Sequence, residues 1–121
     1  MIVYKVVRIE DEKMYSSFVT GKARVEYILK KEITAPKWLA KKGYHLFVFE
    51  NYQAASKVDF LRAVKILRCR IRQKDIIKKP PELKNTYNLS RGRLKPTAYD
   101  ELSEMMENHL MVKSLTPIKI L

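Results

Sequence analysis

The sequence holds one cysteine, one tryptophan, two histidines and three glycines in 121 residues. Cys69 alone cannot form an internal disulfide, which predicts a reducing compartment and a cytoplasmic location. The same count excludes a four-cysteine zinc site. Gly21, Gly43 and Gly92 stand far apart, so there is no glycine-rich phosphate loop. His45 and His109 have no patterned partner, and no spacing of three or four metal ligands is visible. No metal and no cofactor are predicted. No apolar run approaches the roughly 18 residues of a membrane-spanning helix, so membrane insertion is not expected. Met1 to Arg8 is too short an apolar opening for a signal peptide.

What the chain has is a core and an excess of positive charge. Apolar residues make up 46% and charged residues 31%, enough to bury a core within one domain over residues 1–121. The net charge is +12, from 25 basic and 13 acidic residues. It is unevenly placed. Residues 62–95 hold 12 basic residues against only Asp75 and Glu82. Concentrated charge of one sign repels itself, so such a segment points to a polyanionic partner.

The apolar pattern predicts strands over residues 2–9, 15–20 and 24–29, linked by short turns into an antiparallel meander. Ala35-Pro36 opens a short helix that Gly43 stops. Tyr44 to Phe49 reads as a buried strand. Asn51 caps a second helix to about Leu61, with Ala54, Ala55, Val58 and Leu61 as its apolar stripe. Val64 to Arg72 is a further strand. The pattern dissolves from Gln73 to Pro96, where Lys79-Pro80-Pro81 excludes regular structure. A mobile basic connection is expected at about 73–96. A helix from Thr97 towards His109 and a last strand over Met111 to Leu121 follow, with Pro117 restricting that strand to an edge or limited pairing. The expected fold is α+β: an antiparallel or mixed sheet of five to six strands with two to three packed helices. Leu46, Val48, Val58, Leu67, Cys69, Ile71, Leu102 and Met105 are the expected core, with Trp38 buried beside it.

Leu67-Arg68-Cys69-Arg70-Ile71-Arg72 is the sharpest local feature. On a strand it sends Leu67, Cys69 and Ile71 to one face and Arg68, Arg70 and Arg72 to the other. The arginines then stand about 6.6–6.8 Å apart, a spacing that suits successive phosphates of one strand. Their alternative role is a solvated face paired with acidic neighbours. Lys78, Lys79, Arg91 and Arg93 extend the basic set, and Tyr87 offers a ring for stacking on a base. Cys69, on the apolar side, reads as an inert core thiol.

The order Tyr4-Lys5-Val6-Val7-Arg8, Val25-Glu26-Tyr27, Ala35-Pro36, Gly43 to Phe49, Ala54-Ala55 and Leu115-Thr116-Pro117-Ile118 resembles a group of small uncharacterised phage and mobile-element proteins. The resemblance spans residues 4 to 120. It implies a small α+β unit of viral origin and supplies no catalytic residue. The basic segment from Arg68 to Lys95 departs from that group.

The leading expectation is a non-catalytic binding protein that engages nucleic acid, DNA or RNA, or a nucleoprotein complex. The candidate residues are Arg68, Arg70, Arg72, Lys78, Lys79, Tyr87, Arg91 and Arg93. A second reading is a viral-type inhibitor that grips an acidic protein surface. A third is a small ADP-ribosyltransferase-like enzyme using Arg8, Ser16 or Ser17, and one of Glu101, Glu104 or Glu107. Residue types without motif spacing are its only support.

Overall fold

Strand pairing organises the described residues. The computed structural model describes residues 1–16, 24–57, 64–77 and 109–121. It contains eight strands: β1 (Ile2–Glu10), β2 (Lys13–Ser16), β3 (Glu26–Tyr27), β4 (Ile33–Thr34), β5 (Leu46–Phe49), β6 (Val64–Arg70), β7 (His109–Val112) and β8 (Ser114–Ile120). The described residues also form two short helices, α1 (Lys37–Ala40) and α2 (Tyr52–Ser56), and a 3-10 turn at Gln73–Asp75. All strand pairings are antiparallel.

The sheet runs β3-β2-β1-β6-β8-β4, and β5 bridges β1 to β7. β7 and β8 form one bent strand, broken only at Lys113. Its first half pairs with β5 and its second with β6. Both β5 and β6 pair with β1, so the path nearly closes on itself as a barrel. The expected α+β class, with five to six strands and two to three packed helices, is therefore corrected. Among the described residues 52% are strand and 16% helix. The physical reason is that the curled sheet buries its own apolar face. Inner residues of β1, β5, β6 and β8 cover one another.

The turn between β1 and β2 places Asp11 at φ 50° and Glu12 at φ 64°, the left-handed pair that suits a two-residue hairpin. β1 alternates cleanly. Val3 and Val7 face the inner core with Leu67, Cys69, Leu46, Val48, Val112 and Leu115. Val6 faces outwards into a second, smaller core with Phe49, Ala54 and Ala55. α2 builds that outer core. Asn51 starts it, its side-chain oxygen accepting from the Ala54 N–H at 2.8 Å. Gly43, at φ 89°, ends the α1 turn and donates its N–H to the Ala40 carbonyl.

Pro117 is fully buried opposite Cys69 rather than at an open edge. The register between β6 and β8 shifts between Arg68 and Cys69, a bulge that absorbs the proline's missing donor. Residues 73–77, expected to be part of a structureless connection, are pinned. Ile76 bridges to Val112, and the Ile77 N–H donates to the Met111 carbonyl at 2.9 Å. The rest of that connection, the helix expected from Thr97, and Val58, Leu102 and Met105 of the expected core lie outside the described residues. Trp38 packs against the core while only partly buried.

Candidate polyanion interface

The outer face of the sheet has two halves. One half is covered: α2 lies over Val6 and Phe49, with Val64, Ile66 and Phe47 around them. The other half is open and basic. Residues directly opposite in antiparallel strands share a face, with Cβ atoms about 4.5–5.5 Å apart. Arg68 stands opposite Tyr4 on β1 and Lys119 on β8. Arg70, two residues along the same strand, stands opposite Ile2 and Thr116. Leu67 and Cys69, between and before them, are wholly buried. Arg68, Arg70 and Lys119 are exposed, and none pairs with a carboxylate among the described residues.

The other described arginines each pair with a carboxylate. Glu10 pairs with Arg8 at 3.3 Å and Arg24 at 3.6 Å. The Arg24 guanidinium also lies 4.0 Å from the Tyr15 ring centroid. Arg72 is diverted in the same way. It lies past the end of β6, where its Nε donates to Asp75 Oδ2 at 2.7 Å and its Nη2 meets Glu32 Oε1 at 3.3 Å. The hydrogen bond and charge of Asp75 raise its pKa further. The row of three expected from the sequence is thus a row of two, and Arg72 belongs to a cleft beside it. That cleft, of about 210 Å³, is lined by Glu32, Arg70, Ile71, Arg72, Asp75, Ser114 and Thr116. Ser114 Oγ donates to Glu32 Oε1 at 2.5 Å and fixes the carboxylate there.

Lys78, Lys79, Tyr87, Arg91 and Arg93 lie outside the described residues. Three residues not expected at the site are present instead. Lys119 joins through the β6–β8 register, which no local pattern reveals. Tyr4, opposite Arg68 in register, holds its ring 6.1 Å from that of Tyr52 at 78°. Tyr52 is 46% exposed. Outward alternation on β1 would have found Tyr4.

The inside of the barrel holds a second polar group. Lys5 is buried, and its Nζ donates to the Phe47 carbonyl at 2.6 Å. The Tyr27 ring centroid lies 5.4 Å away. Burial holds the Lys5 pKa down to about 8 and pushes the Cys69 thiol up to about 12. It also raises the Tyr27 hydroxyl, against the hydrogen bond from Ser16. Ser16 Oγ accepts from the Val25 N–H at 3.1 Å. The sequence signal was a lysine on the apolar face of β1, between Val3 and Val7.

Arg8 and Ser16, offered for an enzymatic role, do not converge. Ser16 stands opposite Val7, on the inner face, while Arg8 stands opposite Tyr15 on the outer one. Ser17, Glu101, Glu104 and Glu107 lie outside the described residues.

Comparison with protein-family models, with curated proteins and with solved structures finds no match to this chain. Among the described residues no helix is long and apolar enough to cross a membrane.

Proposed function

We propose that this chain is a non-catalytic binding protein that engages nucleic acid through the outer face of β6 and β8. The observation that carries the reading is the exposed pair Arg68 and Arg70, unpaired with carboxylates among the described residues, with Lys119 opposite Arg68. The planar guanidinium fork matches phosphate bidentately, so it loses less freedom per hydrogen bond than a lysine amine does. They contact the backbone and so favour binding without base sequence preference. The buried free thiol of Cys69 suits a reducing compartment, so the cytoplasm is the proposed location.

The test is filter binding with random-sequence DNA and RNA across a salt series. Affinity falls with salt because each neutralised phosphate releases counterions. Replacing both Arg68 and Arg70 by Gln reduces the log–log slope by about 1.4 to 1.8, at roughly 0.7 to 0.9 per lost contact. No retention of either nucleic acid at low salt overturns the reading. It would promote an acidic protein surface as the partner, which the same two guanidinium groups also suit.

A further inference from the structure

We infer that the nucleic acid bound on this face is single-stranded, its phosphates following Arg68, Arg70 and Lys119 and an unpaired base stacking on Tyr52. This rests on the polyanion reading above and adds the class of strand.

Three observations favour an unpaired strand over a duplex. First, the open patch is narrow. Among the described residues its cations stand on β6 and its neighbour β8, with Arg68 and Lys119 directly opposite and Arg70 two residues on. A row of that width tracks one backbone. A duplex presents two strands of phosphate across a groove of about 6 to 12 Å. Second, aromatic rings border the cations. Tyr4 shares the face with Arg68 across the β1–β6 register, and Tyr52 stands against Tyr4. A ring face can stack only on a base whose own face is free, which a duplex withholds. Third, Tyr52 is both exposed and held. Its edge-to-face contact with Tyr4, at 6.1 Å and 78°, fixes the ring before any ligand arrives. α2 begins at Tyr52, and Asn51 caps that helix, so the backbone under the ring is fixed as well. Stacking on a fixed ring forfeits little further side-chain freedom.

The partner class is therefore a short run of unpaired DNA or RNA. Backbone contacts by these cations and stacking on Tyr52 carry little base identity, so sequence preference is weak.

The experiment is fluorescence anisotropy with a labelled oligonucleotide of about twelve nucleotides, within the span that small barrels cover, as single-stranded DNA, as RNA and as a blunt duplex. The expected result is binding of a single strand in preference to the duplex. Tyr52→Ala and Tyr52→Leu each weaken single-strand binding about fivefold or more, and Tyr52→Phe keeps it. Tyr52→Leu retains an apolar side chain beside Tyr4, so a loss of affinity with an unchanged melting temperature reports the ring itself. Equal or tighter duplex binding, or unchanged affinity in both Tyr52→Ala and Tyr52→Leu, overturns the single-strand inference and leaves the polyanion reading standing. Binding of polyglutamate with no binding of any oligonucleotide overturns both.

Discussion

Lys5 reaches across the inside of the barrel and donates to the Phe47 carbonyl on β5 at 2.6 Å. The β1–β5 seam it crosses has one residue pair in register, Tyr4 with Phe49, whereas β1 and β6 are paired along seven. The lysine thus ties the seam with the fewest backbone pairs, at the cost of burying an amine.

That cost sets a pH dependence. Burial holds the Lys5 pKa at about 8, below its ordinary 10.5. Between those values the unfolded chain keeps a proton that the folded chain has released. Raising the pH there favours the folded form. Cys69 acts in the opposite sense: its thiol goes from 9.0 to about 12 on folding, so stability is lost as pH rises above 9. Lys5 dominates between about pH 8 and 9: it contributes a rise of about 1 kcal/mol, of which Cys69 offsets about a third, so the net gain is about 0.6 kcal/mol. Urea unfolding at those two pH values measures it, and the rise disappears in Lys5→Met.

The thiol of Cys69 is chemically silent in the folded protein. It is wholly buried, and at a pKa of about 12 it carries almost no thiolate near neutrality. A thiol reagent at pH 8 reacts at once in strong denaturant. In native buffer it reacts only as fast as the protein opens.

Two packing substitutions probe the two cores separately. Leu67, wholly buried in the inner core, loses about 2–5 kcal/mol on change to Ala. Asn51→Ala removes the cap of α2 and costs about 1 kcal/mol. Denaturant midpoints give both values. Arg68→Gln and Arg70→Gln, at exposed positions, change stability by within about 0.5 kcal/mol each.

Arg72 separates charge from binding. Its guanidinium is engaged by Asp75 and Glu32, so Arg72→Gln leaves the salt dependence of nucleic-acid binding nearly unchanged. It lowers stability instead, because Asp75, only 8% exposed, loses its charged partner. A slope reduced as much as in Arg70→Gln would show that Arg72 contacts the ligand.

Local pattern made β1, β5 and β6 legible, because each alternates over enough residues for the period to show. The same alternation placed Leu67 and Cys69 inside and Arg68 and Arg70 outside. It failed at Arg72, since β6 ends at Arg70 and the chain turns into Gln73–Asp75, bringing two carboxylates to the guanidinium. It failed again at His109, expected near a helix end, which opens β7 opposite Phe49. Two strands in the tail instead of one, and pairing by the two-residue β4, depend on partners far off in sequence. No local window holds that information, and the class was misjudged for the same reason. Lys119 and Tyr4 were missed because the face they share with Arg68 exists only through register.

The bent strand of β7 and β8 has a consequence for how the chain is made. Residues 109–120 leave the ribosome after every partner they pair with, and until they emerge β5 and β6 each lack the strand that pairs with that edge in the folded chain. Open edges are the templates on which chains join one another. Pairing of residues 109–120 closes both edges in a single stroke, so their removal is expected to raise aggregation.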